Sequence, residues 1–385
     1  MRKVAIIGVG NSKFGARLDV TLPELAFEAI KEAIDDAGLS AKDIEHVVVG
    51  SSGIWYEELL PAAYICEYAG LNPAGTVRCE AACATGSAAI KIAHDAVASG
   101  AVKVAMAVGV EKMTEVDTPT VMELIGRAGS YLWEFEGFGP TFPAYYAMHA
   151  VRHMAEFGTT EEQMGMVAVK NHKYGAINPK AHLQREVTLE TVLQSRVVAW
   201  PLKLYDCCPI SDGSAVVILG SEDVVKNTTD SPVWIEGIGT ATIPVNMARR
   251  EGYTGIKSAV IASERAYKMA GIKPEDVDVA EVHDCFTIAE IMAYEDLGFC
   301  KKGEGGKLIE DGQTYLGGEI PVNLSGGLKA KGHPLGATGC SMAYELVTQL
   351  RGEAGKRQAS IDGGIALAHN VGGTGHYSYV TILGR

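Results

Sequence analysis

The sequence lacks the features that mark membrane, secreted and nucleic-acid-binding proteins. Its longest nearly pure apolar run, residues 104–110, is far shorter than the ~20 residues that a membrane-spanning helix needs. The first residues enter an apolar strand directly, without the hydrophobic stretch and cleavage site of a signal peptide. The 34 basic residues are outnumbered by 47 acidic ones, and a net charge of −13 argues against a nucleic-acid partner. We therefore expect a cytoplasmic protein, in which an anionic substrate would need a local cluster of Lys or Arg.

Metal-binding and nucleotide-binding signatures are also missing. The eight cysteines show no paired Cys-x-x-Cys spacing of the structural zinc type, and without a secretory signal they are expected to be reduced thiols. Gly8 and Gly10 follow an apolar strand, but Gly15 comes two positions late for the Gly-x-Gly-x-x-Gly fingerprint of dinucleotide sites. The sequence therefore predicts no metal ion and no cofactor.

What the sequence does contain is an internal duplication. A helix predicted to begin at the capping box of residues 21–24 ends at Gly38 and leads to a buried strand at 47–49. The same pattern returns at Gly271, 233 positions after Gly38 (271 − 38), and leads to a strand at 279–282. Alternating strands and helices of this kind predict, in each half, a mostly parallel sheet that is covered on both faces.

A second pair of segments supports the duplication and defines the domains. Residues 84–86 and 337–339 are both Ala-Thr-Gly and both open a predicted helix, 253 positions apart (337 − 84). Two packed copies would share one helical layer. We divide the chain into a first half (1–115 and 201–225), an inserted loop domain (116–200) and a second half (230–385).

Four histidines in the insertion are interpreted as helix-surface residues: His149, His153, His172 and His182.

Cys83 is the strongest candidate for a nucleophile. It lies in a run of very small residues, 81–89, at the start of an apolar helix. A helix N-terminus stabilises a thiolate and lowers the pKa of a cysteine, and the small neighbours would let a carbonyl group approach. The alternative is that Cys83 is a buried cysteine that behaves as a small hydrophobic residue.

Two histidines stand in settings that fit a partner for Cys83. His333 lies in a glycine-rich loop, 323–339, that runs into a helix N-terminus, and so many glycines indicate close backbone approach. His283 begins the run His-Asp-Cys-Phe directly after a buried strand, and the carboxyl ends of strands are where open α/β sheets place their sites. Each histidine by itself would also fit a hydrogen-bonded core residue.

Together these residues resemble the thiolase superfamily. The resemblance is carried by Cys83 at its helix start, the Gly-His-Pro loop around His333, the Ser-Asp-Gly turn at 211–213 and the duplicated halves. Within the superfamily, the run 283–286 and the run 369–373 (His-Asn-Val-Gly-Gly) are similar to those of the sterol-carrier-protein-type thiolases and their archaeal relatives. The fold implied is the duplicated, five-layered αβαβα thiolase fold with an inserted loop domain.

The resemblance also implies roles for individual residues. Cys83 would take an acyl group from an acyl-CoA, His333 would activate Cys83, and Cys285 would remove the α-proton of a second acetyl-CoA. His333 and a water held by His283 would stabilise the enolate, and the backbone N–H groups of Cys83 and Gly372 would hold the tetrahedral intermediate. Because both thiols must exchange protons near neutral pH, we predict a lowered pKa for at least one of them.

The sequence departs from the commoner thiolases at two positions. Where those enzymes carry an Asn-Glu-Ala-Phe run this chain has His283, and where they place a second catalytic cysteine near the C-terminus it has Asn370. Cys285, on a different loop, would supply the missing thiol. The departure leaves open which residue is the second base.

The activity implied is a Claisen condensation of two acetyl-CoA molecules to acetoacetyl-CoA, or the reverse thiolysis, feeding mevalonate-type isoprenoid synthesis. The resemblance further implies a homodimer or dimer of dimers, and a complex with a hydroxymethylglutaryl-CoA synthase and a small zinc-binding OB-fold protein. Two alternatives stay open. A decarboxylating β-ketoacyl synthase needs one cysteine and two histidines but no second thiol, and a non-catalytic scaffold would bind CoA esters without transforming them.

Overall fold

The computed structural model describes residues 2–53, 55 and 58–385. Its strands, numbered in chain order, are β1 Val4–Asn11, β2 His46–Gly50, β3 Gly75–Cys79, β4 Val104–Lys112, β5 Val197–Ala199, β6 Leu202–Lys203, β7 Asp212–Ser221, β8 Val233–Thr242, β9 Val279–Glu281, β10 Ile365–Gly372 and β11 Tyr377–Gly384. Its helices are α1 Leu22–Ala37, α2 Pro61–Tyr68, α3 Thr85–Ser99, α4 Thr118–Gly126, α5 Glu136–Phe138, α6 Phe142–Phe157, α7 Glu161–Ala176, α8 Leu189–Leu193, α9 Glu222–Thr228, α10 Lys257–Ala270, α11 Thr287–Asp296, α12 Gly305–Glu310 and α13 Thr338–Arg351.

The strand order confirms the duplication. Nine strands follow one another in the order β3-β2-β4-β7-β1-β8-β11-β10-β9, while β5 and β6 form a separate pair. The first half, β3-β2-β4-β7-β1, is repeated in reverse order by β8-β11-β10-β9, and a parallel bridge from Ala280 to Val322 takes the place of β3. The halves join where β1 pairs with β8 through Ala5 and Ile6.

The prediction of a mostly parallel sheet is wrong, because the sheet contains both parallel and antiparallel pairs. Among the strands of the described residues, β2–β3, β2–β4 and β9–β10 pair in parallel, and the other neighbouring strands are antiparallel. The reason is the connections: parallel neighbours need a crossover helix, whereas β10 turns directly into β11 through residues 373–376. Valine-rich strands are buried in either case, so composition could not tell the two arrangements apart.

The two half-sheets and the helices that pack on them form five layers. Helix α1 packs on β1 and β7, α10 packs on β8 and β11, and α3 and α13 pack against each other between the two half-sheets. Glycines bring the outer helices close to the strands: a Cβ added at Gly10 would lie 2.1 Å from the carbonyl oxygen of Ala29, and one at Gly239 would lie 1.8 Å from that of Ala262. The shared central layer predicted from the repeat is thus present.

Local sequence signals placed the main helices correctly. Helix α1 begins after a capping box formed by Thr21 and Glu24, and it ends at Gly38, whose φ of +62° suits glycine. Helix α10 ends in the same way at Gly271, with φ +71°. Helix α7 begins after Thr160, whose hydroxyl accepts a hydrogen bond from the Gln163 amide.

None of the four insertion histidines lies on a helix surface. His149, His153 and His172 are buried, and His182 lies half-buried between α7 and α8. The cause is that α6 and α7 are covered on more than one side, α6 by α11 and β5, α7 by α8, α11 and α12. The imidazoles are hydrogen-bonded inside this packing; His153, for example, bonds to Thr159 Oγ1 at 2.7 Å and to Glu295 Oε2 at 3.1 Å. No helix in the described part of the chain is long and apolar enough to cross a membrane.

Candidate active site

Cys83 lies in a tight turn, residues 82–84, that leads into α3. The turn is strained, because Ala82 has φ +50°, a value that costs a non-glycine residue about 1–3 kcal/mol. Thr85 holds it in place: its hydroxyl accepts from the Ala81 amide at 2.8 Å and donates to the Ala82 carbonyl at 2.6 Å. The Cys83 side chain is thereby presented at the start of α3 while only 5% of its surface is exposed.

Both candidate histidines lie beside this thiol. Cys83 Sγ and one ring nitrogen of each of His283 and His333 lie within 4.8 Å of one another. The two rings meet edge to face, with centroids 5.0 Å apart. In each ring Nδ1 has a hydrogen-bond partner, whereas Nε2 is buried and has none within the described residues. The free Nε2 atoms are therefore available to a substrate.

The loop that carries His333 is anchored by Asp284. The Asp284 carboxylate accepts hydrogen bonds from the amides of Leu328 at 2.7 Å and Lys329 at 3.1 Å, in a π-helical turn that spans 327–331. The side-chain amide of Asn171, from α7, donates to the same carboxylate at 2.8 Å. Burial raises the pKa of Asp284 to about 7. The second residue of the His-Asp-Cys-Phe run is thus the anchor of the Gly-His-Pro loop.

Cys285 lies on the same side of the site as Cys83, with its side chain buried. The hydroxyl of Tyr146, from α6, donates to the Gly373 carbonyl at 3.4 Å, and it lowers the pKa of the Cys285 thiol against the larger effect of burial. The Tyr146 ring packs on Phe286, with centroids 4.7 Å apart. The inserted segment thus contributes a side chain that contacts the second thiol.

The expectation of a lowered thiol pKa is wrong. Burial raises the pKa of Cys83 to about 12, and burial together with the neighbouring thiols Cys208 and Cys83 raises the pKa of Cys285 well above 9. The turn amides do stabilise the Cys83 thiolate, but the loss of its hydration on burial destabilises it by a larger free energy. Burial also lowers the pKa of His333 to about 3 and that of His283 well below 6.5. The resting site therefore holds neutral thiols and neutral imidazoles.

Two backbone amides act on the sulfur of Cys83. The amide of Gly373 and that of Cys83 itself favour the Cys83 thiolate and lower its pKa against the larger effect of burial, and Gly373 lines the same cavity as Cys83. Gly372, expected from the sequence to supply the second amide, ends β10 one residue earlier and pairs with Tyr377. We therefore add Gly373 to the candidate oxyanion-binding residues, and the role of Gly372 stays a prediction.

The site opens into a cavity of about 910 Å³. Cys83, Cys285 and His333 line it, together with apolar side chains such as Met122 from α4 and Phe142 from α6. Its lining also contains two arginines, Arg127 and Arg196, both exposed. Arg127 is paired with Glu123, and Arg196 has no ion-pair partner within the described residues. A cavity of this size and composition fits a long, mainly apolar ligand with an anionic end.

Sequence reasoning missed several residues that position the site. Glu111 at the end of β4, Asp284, Tyr146, Ser87 and Thr338 all contact the residues or loops that carry the candidate chemistry. A buried acidic residue inside an apolar strand, as Glu111 is in residues 104–112, was the one signal available. The other four depend on contacts between segments distant in the sequence.

Both halves of the chain match sequence models of the thiolase family. The family model described as the thiolase N-terminal domain matches residues 4–223, and the thiolase C-terminal domain-like model matches 239–385. An acetyl-CoA acetyltransferase of Methanothermobacter thermautotrophicus is 48% identical, with all of both chains covered. One of Methanocaldococcus jannaschii is 44% identical over all of this chain and 99% of its own.

Sterol carrier protein 2 of Homo sapiens is 33% identical over 97% of this chain and 70% of its own length. A solved structure, that of human mitochondrial 3-ketoacyl-CoA thiolase, superposes with a TM-score of 0.77 over all of this chain and 98% of its own, at 19% identity, which supports the thiolase fold. Both halves, the fold and the full-length relatives agree with the resemblance read from the motifs. The chain is therefore an acyltransferase that belongs to the thiolase family.

Proposed function

We propose that this chain condenses two acetyl-CoA molecules to acetoacetyl-CoA, and catalyses the reverse thiolysis, through an acyl group carried on Cys83. The observation that carries the proposal is the grouping of Cys83, His283 and His333 within 4.8 Å, with a second thiol, Cys285, lining the same cavity. The names of the two relatives at 44% and 48% identity support the choice of acetyl-CoA.

In the first half-reaction Cys83 attacks the thioester carbonyl while His333 Nε2 takes the thiol proton. In the resting site, before acylation, a raised Cys83 thiol pKa and a lowered His333 imidazole pKa disfavour a Cys83 thiolate–imidazolium pair, so the proton moves as the carbon–sulfur bond forms. The oxyanion faces the amides of Cys83 and Gly373. When the bond to CoA breaks, Cys285 gives its proton to the leaving thiolate and becomes a thiolate itself.

In the second half-reaction the Cys285 thiolate removes an α-proton from the methyl group of the incoming acetyl-CoA. The resulting enolate carbon attacks the acyl carbonyl on Cys83, the carbon–sulfur bond to Cys83 breaks, and the His333 imidazolium returns a proton to that sulfur. Every proton taken in the first half is returned in the second. The hydroxyl of Tyr146, beside Cys285, favours the thiolate that links the two halves.

The cavity suggests how CoA is held. The two arginines of its lining, Arg127 and Arg196, are the candidates for the CoA phosphates, because guanidinium groups bind phosphates through paired hydrogen bonds. Arg196 is the stronger candidate, since Arg127 is already paired with Glu123.

Wider assignments belong to the same proposal. We infer an enzyme of the cytoplasm that works without a cofactor, forms a homodimer or dimer of dimers, and feeds mevalonate-type isoprenoid synthesis. We further infer a complex with a hydroxymethylglutaryl-CoA synthase and a small zinc-binding OB-fold protein. These follow from the family resemblance, and co-purification of the three proteins from one expression culture would test the complex.

The deciding experiment is single-turnover acylation with radiolabelled acetyl-CoA, followed by peptide mapping. We expect release of free CoA, label on the Cys83 peptide, and acetoacetyl-CoA when more acetyl-CoA is added. Cys66→Ala is the matched control, because Cys66 is a buried cysteine of α2 that does not line the cavity. Label on no cysteine would favour a scaffold that binds CoA esters, and condensation that requires malonyl-CoA would favour a decarboxylating β-ketoacyl synthase.

A further inference from the structure

We propose that Asn370, oriented by Ser87, is a positioning residue that keeps the proton of His283 on Nε2, so that His283 donates a hydrogen bond to the substrate while His333 accepts one from Cys83. The two imidazoles would then be held in opposite tautomers. This inference rests on the acyl transfer proposed above and assigns a use to the residue that stands where commoner thiolases have a cysteine.

The first step is the orientation of the Asn370 side-chain amide. Its Nδ2 lies 3.1 Å from the carbonyl oxygen of Cys83, and a carbonyl oxygen can only accept. The atom that faces Cys83 must therefore be the nitrogen. Ser87 agrees with this orientation, because its hydroxyl donates to Asn370 Oδ1 at 3.0 Å. All three groups are buried, so water does not compete for these bonds.

The second step is the proton on His283. The same Asn370 Nδ2 lies 3.1 Å from His283 Nδ1, so one of its two hydrogens reaches Cys83 and the other reaches the ring. Nδ1 must accept that hydrogen with its lone pair. A neutral imidazole that accepts at Nδ1 carries its proton on Nε2. His283 is neutral, because burial lowers its pKa well below 6.5, and its Nε2 is buried without a partner within the described residues.

The third step is the opposite assignment for His333. Its Nδ1 lies 2.7 Å from Thr338 Oγ1. The single hydrogen of that hydroxyl is donated to the Pro334 carbonyl at 2.9 Å, so Oγ1 can only accept from the ring. The His333 proton is therefore on Nδ1, and Nε2 keeps the lone pair that a base needs.

Opposite tautomers divide the work between two identical side chains. His333 Nε2 can take the Cys83 proton, and His283 Nε2–H can donate to the thioester or enolate oxygen, directly or through one water. The assignment also bears on metals. Cys83, His283 and His333 are the one cluster in the described ranges whose donor atoms could ligate a metal ion, but a protonated Nε2 on His283 offers no lone pair.

The test replaces Asn370 by aspartate and reads the tautomers directly. With selectively ¹⁵N-histidine-labelled protein, ¹⁵N shifts distinguish protonated from unprotonated ring nitrogens, and His283→Asn and His333→Asn variants assign the signals. We expect protonated Nε2 on His283 and protonated Nδ1 on His333 in the wild type. In Asn370→Asp the carboxylate accepts only, so we expect the His283 proton to move to Nδ1.

Two reactions of Cys83 separate this role from a structural one. Transfer of acetyl from acetyl-CoA develops an oxyanion, whereas alkylation by iodoacetamide does not. We expect Asn370→Asp to lower kcat for condensation about 10²-fold, the usual effect of losing one oxyanion donor, while alkylation of Cys83 keeps close to the wild-type rate. Ser87→Ala should give a smaller fall, and Ser341→Ala, which removes a buried hydroxyl without a partner in the described chain, should give none.

The outcomes are distinguishable. A wild-type His283 protonated on Nδ1, or an Asn370→Asp variant with undiminished kcat, overturns the inference even if the chain is a thiolase. Equal falls in the rates of acyl transfer and of Cys83 alkylation would show that Asn370 only supports the structure, and would also overturn the inference. If the wild type forms no acyl-Cys83, the proposed function fails, and the ¹⁵N spectra of the wild type still decide the tautomers. Should Asn370→Asp not fold, Ser87→Ala with the same two reactions decides the kinetic part.

Discussion

Glu111 joins two loops of the candidate active site, and its replacement by glutamine would show how strongly these loops depend on it. One carboxylate oxygen accepts from Trp55 Nε1 at 2.8 Å and the Gly53 amide at 3.2 Å. The other accepts from the Ser52 amide at 2.9 Å and the Gly336 amide at 3.0 Å. Gly336 belongs to the loop that carries His333, and the other three donors follow β2. A single buried carboxylate therefore satisfies four N–H groups from two segments.

Glu111→Gln keeps the shape of the side chain and turns one acceptor oxygen into an NH₂ group. Whichever oxygen is replaced, two N–H donors lose their acceptor, one of them buried and the other half-buried. Each costs about 1–3 kcal/mol, or about 2–6 kcal/mol together. Burial raises the pKa of Glu111, which shows that its charge is itself unfavourable there, so a neutral amide recovers part of the loss. We expect the free energy of unfolding to fall by about 2–4 kcal/mol.

Urea unfolding followed by tryptophan fluorescence measures this loss, with the slope of the transition checked for two-state behaviour. The matched control is Glu222→Gln, at a surface ion pair with Lys226 in which both side chains are more than half exposed. The control should lie within about 0.5 kcal/mol of wild type. An equally small effect for Glu111→Gln would refute the hydrogen-bond accounting, and a loss above about 6 kcal/mol would mean that the loops collapse together.

Three further predictions follow from the site and its burial. Cys285→Ala should lower condensation of acetyl-CoA by at least about 10²-fold, as expected for loss of an acid–base group. Label from acetyl-CoA should still accumulate on Cys83, but more slowly, because Cys285 also protonates the leaving CoA; condensation at full rate would refute its role as the base. Arg196→Ala should raise KM for acetyl-CoA by about tenfold with little change in kcat, while Arg152→Ala, at a surface pair with Glu156, should leave steady-state kinetics unaltered. Burial lowers the pKa of His369 to about 3 from 6.5. Between these two pH values the His369 imidazole is protonated in the unfolded chain but neutral in the folded chain, so the free energy of unfolding decreases as the pH falls below 6.5. Urea titrations at pH 7.5 and 5 should therefore show that His369→Phe loses about 2 kcal/mol less than the wild type between those pH values, and equal losses would contradict the burial argument.

The sequence by itself determined the features that depend on neighbours along the chain. The helix from the Thr21 capping box to Gly38 and its copy before Gly271 are encoded by residues within one or two turns of each other. The small residues around Cys83 and the glycines around His333 are local signals of the same kind. The internal repeat strengthens the prediction from both, because the same Ala-Thr-Gly helix start occurs beside each of them. Such signals singled out Cys83, His283 and His333, which the structure brings within 4.8 Å of one another.

Tertiary structure alone decided what depends on segments far apart. Strand direction follows from connections through whole helices and hairpins, so the sheet is mixed where composition suggested mostly parallel strands. The raised pKa of Cys83 follows from burial by both halves, which outweighs the local helix N-terminus that the sequence displays. The hydrogen bonds of Asn370 join it to Cys83 and His283, 287 and 87 positions away. No local pattern encodes such a bond, because its geometry exists only once the strands and the central helices have packed.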